Sequence, residues 1–504
     1  MSWFLYAIYL LIICAIIFRH RFFRLPGLKS YPALLFFLLK IFAGVAVWYV
    51  YTVYYPQREY ADIWKYYDDS EVVYNALDDH PGDYFRLMSG IGIDERIQHE
   101  YIDKMLHWDQ QFENNLFNDS HTIIRFNALM RLISAGNYHT HSLVMCFLAF
   151  IGLCALYHWL YKFIPQWKKP VAFILFISPS LLFWTSGVLK EGILFFALGM
   201  LILHSWRFAE DKKKYRLFWI VLSIFLLAIT KLYALVFVLP ALALALHLMK
   251  NPRFAIVKTA ILFAGLIVTG ILIDKVKPEL SPYRIIAMKQ KDFLNLAKGG
   301  TYLMNDTFVV YLRPDQPLIV TKEDLLDTHK ETYRLAPNTE IIYWNIADDF
   351  HDTLRRTVGV EDVKYTLLSG SPVAGSLMQV NALQPTASSV LNETPGAIFR
   401  STFRPYPWEL KPVMIIPAML ENLFLWLLIF ACVLWYKKAS FKAVFWFCIV
   451  FALITLAVTG LTTPVLGALV RYRITAVPFL LFALLLCIDR QKVVKRLPFL
   501  DRIL

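Results

Sequence analysis

The sequence predicts an all-α polytopic membrane protein with about 11 transmembrane helices and two large non-cytoplasmic loops. Three observations predict it. Hydrophobic residues make up 58% of the 504 residues and charged residues only 18%, whereas a soluble domain is about a quarter charged. The apolar residues gather in separate runs of roughly 20, the length that crosses a bilayer core. Lys and Arg sit in short segments beside those runs. The formal net charge of +13 therefore reads as a positive-inside bias and not as a nucleic-acid surface. No nucleic-acid partner is expected.

From the N-terminus the runs lie at about 3–18, 31–55, 141–163, 170–187, 191–206, 216–230, 232–249, 256–274, 411–435, 443–461 and 474–488. The first lacks a basic start and a small-residue cleavage site, so it reads as a span and not as a signal peptide. Arg19, Arg21, Arg24 and Lys29 come after it and mark that loop as cytoplasmic. Alternation then places Lys168/Lys169, Lys212 to Lys214, Lys250/Arg253, Lys437/Lys438 and Lys492/Lys495/Arg496 inside as well. The N-terminus is thus expected outside and the C-terminus inside. The chain divides into four parts: an N-terminal span with its basic loop (1–30), a seven-span module (31–274) with an outer loop at 56–140, a large outer loop or subdomain (275–410), and a three-span C-terminal part with a basic tail (411–504).

The first outer loop carries 15 Asp/Glu against 7 Lys/Arg, which suits the outer side. Its amphipathic patterns with Trp64, Tyr66, Tyr67, Tyr74, Trp108 and Phe112 suit helices lying in the interface. The second outer loop holds a β-prone stretch at Thr307 to Leu312 and a Pro/Ser/Gly-rich stretch at Ser369 to Pro395, which reads as a partly mobile loop. All six cysteines lie in apolar spans, so neither a disulfide framework nor a zinc spacing exists.

Polar groups at membrane depth gather on the outer side. A helix-breaking run, Pro179-Ser180 to Ser186-Gly187, leads into Lys190-Glu191. Lys231 and Tyr233 occupy the next outer turn. The second long loop returns to the membrane through Arg400 to Glu409, with Arg404 and Trp408 in that stretch, and Glu421 lies further into the span. The last outer turn carries Arg471-Tyr472-Arg473. Each group has an ordinary explanation: an interfacial ion pair for Lys190 and Glu191, snorkelling for Lys231, headgroup anchors for Arg471 and Arg473, a helix start for Arg404-Pro405, a solvated surface for the acidic loop. Anchors, however, belong on both faces, and these groups occupy one. Intramembrane charges are costly and mark functional sites.

The order of spans and loops resembles the GT-C superfamily of integral membrane glycosyltransferases. There a seven-span module opens with an outward helix, a long outer loop, short outer turns and a second long loop. Spans two to eight reproduce that order, and the first span is an addition. The stretch Asp62-Ile-Trp-Lys-Tyr66, just after the outward helix, is similar to the family's Asp-x-x-x-Tyr pattern. The run from Pro179 to Glu191 resembles the family's helix-breaking stretch before an acidic residue. A clear Asp-Glu or Trp-Trp-Asp hallmark is missing. In pattern the chain is related to the aminoarabinose and protein mannosyl transferases.

The resemblance implies transfer of a sugar from a polyprenyl-phosphate carrier to a glycan, lipid or protein acceptor of the cell envelope. No Rossmann nucleotide site is found, and none is needed. Inversion in one displacement needs a carboxylate to take the acceptor's proton and positive charge on the leaving phosphate. Asp62 is the first candidate base, with Asp68 and Asp69 as rivals. Glu191 is expected to orient Lys190 or to meet the sugar. Tyr66, Lys190, Lys231, Arg404, Trp408, Glu409, Arg471 and Arg473 are the candidates for phosphate and sugar binding. The sequence offers no compact metal motif; a divalent ion bridging Asp62 and the phosphate stays open. An aromatic-rich chain with short tails and no retention signal points to a bacterial inner membrane.

Two other classes compete. A polysaccharide polymerase or O-antigen ligase would use outer arginines for a lipid pyrophosphate and would not need the acidic start of the first loop. A transporter or lipid flippase would show internal repeats and helix breaks at the bilayer midplane. The chain has no such repeat, and its break at Ser186-Gly187 lies near the outer edge.

Overall fold

The computed structural model describes residues 2–29, 31–55, 58, 61–105, 107–108, 119–305, 308–313, 318–321, 332–335, 338, 340–345, 354–357, 365–370, 373–409 and 415–502. Among them, eight helices are long and apolar enough to cross a membrane. In chain order the helices are α1 (Ser2–Arg19), α2 (Pro32–Tyr49, continued by a π turn Val50–Tyr54), α3 (Asp62–Asp79), α4 (Pro81–Ser89), α5 (Glu95–Glu100), α6 (Asp119–Ser134), α7 (Tyr138–Tyr161), α8 (Lys168–Ala172), α9 (Pro179–Trp184), α10 (Glu191–Asp211), α11 (Tyr215–Thr230), α12 (Leu232–Lys250), α13 (Ala255–Val276), α14 (Pro282–Ala297), α15 (Ala387–Phe403), α16 (Ile416–Leu434), α17 (Lys442–Thr462), α18 (Leu466–Tyr472), α19 (Val477–Leu486) and α20 (Arg490–Arg496). The chain is a multi-pass membrane protein.

Three of the spans expected from the sequence are not single long helices. The run at 170–187 is α8, a π turn Phe173–Ile177 and α9. Pro179 sits in the first turn of α9, where it costs no hydrogen bond. The helix then stops because the Thr185 and Ser186 hydroxyls bond back to the Leu181 and Leu182 carbonyls, both at 2.6 Å, and Gly187 takes φ +83°. The run at 216–230 is a helix of 16 residues. The last span is bent by 53° between α18 with its adjoining turn and α19.

The bundle core forms where α7, α10, α12, α17 and α19 meet, around Phe150, Tyr157, Phe195, Val238, Phe447, Phe451 and Phe479. Lipid tails are as apolar as these side chains, so close packing has to hold the helices together. Small residues allow it. A Cβ on Gly199 would stand 2.1 Å from the Gly152 carbonyl oxygen, and one on Gly460 2.1 Å from that of Ala397. At one end of the bundle the basic loops are tied together: the Tyr157 hydroxyl donates to Pro26 O, Lys162 pairs with Glu210, and Lys442 donates to Pro252 O.

Helices α3 to α6 form a layer with its own core of Tyr66, Val73, Tyr84, Leu87, Ile97 and Ile123. Arg131 of α6 fastens α3 by donating to Ser70 Oγ and Tyr67 O at 2.9 and 2.8 Å.

The membrane part is all helix, and the second long segment adds strands to it. It holds a seven-stranded antiparallel sheet of order β3-β4-β7-β1-β2-β5-β6, with β1 (Thr301–Met304), β2 (Phe308–Leu312), β3 (Leu318–Thr321), β4 (Thr332–Leu335), β5 (Glu340–Asn345), β6 (Leu354–Thr357) and β7 (Tyr365–Gly370). The β-prone stretch read from the sequence is β2, apart from Thr307, which lies outside the described residues. The described residues 373–395 of the run expected as a partly mobile loop are held at two points. Met378 N donates to Pro464 O at 2.8 Å, and α15 begins where the Thr386 hydroxyl caps Ser389 N. Helix α15 packs along α17, with Ser401 Oγ donating to Leu456 O at 2.8 Å.

Candidate active site

Three helix ends meet at one point. Asp62 is the first residue of α3, and Glu191 is the first residue of α10. Each carboxylate therefore sits at the positive end of a helix dipole. Arg471, in the last turn of α18, lies between them. Its Nη1 donates to Asp62 Oδ2 at 2.5 Å. Its Nε and Nη2 donate to the two oxygens of Glu191 at 2.7 and 3.1 Å. That is the parallel two-bond geometry a guanidinium makes with a carboxylate. The side chains of Glu191 and Arg471 are 3% and 12% exposed, while that of Asp62 is 33% exposed. Burial alone would raise the Asp62 pKa. Arg471, Lys65 and Lys190 outweigh it and hold the carboxyl well below the usual carboxylate range.

Cations and aromatics surround this triad. The Arg471 guanidinium lies 5.2 Å from the Trp184 ring centroid, Lys190 Nζ 4.8 Å from that of Tyr66, and Lys231 Nζ 5.6 Å from both Tyr233 and Tyr472. Lys190 also reaches Ser120 Oγ at 3.4 Å. The neighbouring Lys190–Glu191 pair seen in the sequence thus splits: Glu191 takes Arg471, and Lys190 faces Tyr66 and Ser120.

A cavity of about 750 Å³ leads to Arg471. Tyr51, Trp184 and Tyr472 line its polar end, and Leu39, Phe42, Ala43 and Leu182 line an apolar wall. Phe42 is also exposed on the helix surface, so the apolar wall continues to the lipid-facing side of the bundle.

The remaining sequence candidates lie apart from the triad. Asp68 pairs with Arg58 at 2.6 Å at the exposed side of α3. Asp69 is buried and accepts from the backbone of His107 at 2.8 Å. That bond places the His107 imidazole near Asp62 and Lys65, where burial and then Lys65 lower its pKa to about 3. Arg404 pairs with Glu409 at 3.3 Å, Glu409 also accepts from Tyr406 N at 2.9 Å, and Trp408 stacks on Tyr406 at 4.9 Å and is exposed. These residues make a turn closed on itself. Arg473 is buried and donates to the carbonyls of Ser401, Thr402, Arg404 and Ala418. It joins α15, the turn after it and α16, and it points away from Arg471. Glu421 accepts from Ser178 Oγ and Ser180 N at 2.6 and 2.5 Å and supports the start of α9.

The sequence reading missed Lys40, a buried lysine inside the apolar run of α2. A lysine within a span is itself a signal. Among the described residues no group of three or more His, Cys, Asp and Glu comes together as a metal centre. Asp62 and Glu191 are two carboxylates around a guanidinium, which falls short of the donor set of a divalent ion.

Comparison with protein-family models, with curated proteins and with solved structures finds no match for this chain.

Proposed function

We propose that the chain is a membrane glycosyltransferase that moves a sugar from a polyprenyl-phosphate carrier to an envelope glycan, lipid or protein. The observation that carries the proposal is the meeting of Asp62, Glu191 and Arg471 at the polar end of a 750 Å³ cavity whose apolar wall reaches the lipid-facing surface. An isoprenoid tail fits the apolar wall, and a phosphate fits the cationic end formed by Arg471 with Lys190 and Lys231 near it. Asp62 is the base. The acceptor oxygen or nitrogen attacks the anomeric carbon and its proton passes to Asp62. The bond from that carbon to the phosphate oxygen breaks, and the electron pair leaves with the carrier phosphate. Arg471 lowers the basicity of Asp62 while it grips it. A phosphate drawing the guanidinium toward itself restores that basicity as the substrate arrives. Glu191 keeps Arg471 in place. The basic loops support a non-cytoplasmic site, which in this reading is the periplasmic side of a bacterial inner membrane.

The polymerase or ligase reading rests on several free arginines. Arg473 is engaged with carbonyls and Arg404 with Glu409, which leaves Arg471 to carry it. The flippase reading lacks a repeat.

The test is turnover by the purified protein in nanodiscs, with a panel of polyprenyl-phosphate sugars and an extract of the native membrane as acceptor source. Release of free polyprenyl phosphate supports the proposal. Consumption of lipid-pyrophosphate oligosaccharide alone transfers the case to the polymerase or ligase.

A further inference from the structure

Lys40 lies in the apolar run of α2 and is 1% exposed. Among the described residues no carboxylate pairs with it. A lysine placed so is costly, and snorkelling, the ordinary remedy, would carry its head to the surface. Here the head points inward. Nζ donates to Thr185 Oγ1 at 2.5 Å and to Ser186 Oγ at 3.3 Å. Both hydroxyls donate their own protons to the Leu181 and Leu182 carbonyls, so each oxygen has a lone pair left for the ammonium. Thr185 is the C-terminal cap of α9, and the negative end of a helix dipole favours a cation there.

Residues 187–190, just beyond this cap, form the link that delivers Glu191. Gly187 turns the chain at φ +83°, Val188 and Leu189 are fully buried, and α10 begins at Glu191. Helix α2 holds the link a second time where Val47 packs on Gly187; a Cβ there would stand 3.1 Å from Val47 Cγ1. The Lys40 bonds are thus the polar fastening of a broken helix, and the loose end of that break carries the carboxylate that bonds Arg471 twice.

We propose that Lys40 is a positioning residue that fixes the Thr185–Ser186 break and so sets Glu191 against Arg471. The role in catalysis rests on the transferase reading; the role in holding the link does not. A displacement of about 1 Å at a catalytic group lowers rate on the order of 100-fold.

The experiment has two readouts. Backbone amide exchange of peptides covering 185–191 is measured in nanodiscs for the wild type, Lys40→Met, Thr185→Val and Thr185→Ser. Exchange about tenfold faster in Lys40→Met and Thr185→Val, with Thr185→Ser at the wild-type rate, supports the proposal. Unchanged exchange in Lys40→Met or Thr185→Val overturns it, whatever the substrate proves to be. Thr185→Val keeps the lysine and serves if Lys40→Met does not fold. The second readout is polyprenyl-phosphate release by Lys40→Met, Glu191→Gln and the double variant. A positioning role makes the double variant no slower than the slower single one, with kcat reduced and KM kept. Multiplied losses in the double variant overturn the link to Glu191. A wild type that releases nothing from any donor counts against the transferase reading alone, and the exchange rates then decide the role of Lys40.

Discussion

Arg471 bonds Asp62 and Glu191 at once, through Nη1 to the first and through Nε and Nη2 to the second. The residues it joins are 409 and 280 positions away in the sequence. One guanidinium therefore ties the first outer segment, the helix after the break and the last bent span into a single site.

Removing that guanidinium leaves the buried Glu191 carboxylate without its partner. Arg471→Gln is expected to cost about 3–5 kcal/mol, read as a lower midpoint of thermal unfolding in detergent. Adding Glu191→Gln to it should regain part of the loss, because the orphaned charge goes too. Arg471→Lys keeps the charge but not the paired geometry and should fall between. An Arg471→Gln protein as stable as wild type would mean that the triad does not hold these helices.

Much of the site was legible one residue at a time. Asp62, Glu191, Lys190, Lys231 and Arg471 each stood out as polar groups at the ends of apolar runs. Their meeting was not legible, because it depends on how distant helices pack. Asp62, Asp68 and Asp69 looked alike in the sequence; Asp68 faces away from the other two, since neighbours on a helix do not share a face, and Asp69 shares the Asp62 face two turns further along α3. The same rule explains why Arg471 and Arg473, two positions apart, point to different partners. The sheet was mostly hidden because its strands are only 4 to 6 residues long, too short for a firm alternation. The signals for the broken span, Pro179, Ser186 and Gly187, were visible. The residue that keeps the break in place, Lys40, comes from another helix.

The pH dependence of turnover should reflect the low pKa of Asp62. Its partners set the sign: Arg471, Lys65 and Lys190 favour the charged form, so the carboxylate stays ionised well below pH 5. The acid limb of kcat/KM, which reports the free enzyme, should therefore lie below about pH 5. A limb between pH 6 and 7 would assign the base to another group.

Asp292 gives the outer segment the opposite dependence. Burial raises its pKa to about 6, above its unfolded value, so the folded state binds the extra proton between about pH 4 and 6. Stability should be greatest below pH 4 and should fall as pH rises through 6, by at most about 3 kcal/mol. Asp292→Asn should remove that slope. Amide exchange of α14 and β1 from pH 4 to 8 is the check, and an identical slope in the variant would contradict the assignment.

The cavity should distinguish donors by their tails. Ala468 lines it one helical turn before Arg471. Ala468→Phe should raise KM for long-chain carriers severalfold with a smaller effect on kcat, because it takes up cavity space and removes no group of the triad. Arg404→Ala and Trp408→Ala, in the closed turn, should alter neither. A large effect from Arg404→Ala would favour the polymerase or ligase.

The most direct measurement compares wild type with Asp62→Asn for release of free polyprenyl phosphate from polyprenyl-phosphate sugars in nanodiscs, each with folding verified. The wild type should release it, and Asp62→Asn should lose about 100- to 10,000-fold, the range of general-base catalysis. Equal release by both proteins would contradict Asp62 as the base, and no release by the wild type from any monophosphate donor would contradict the transferase itself.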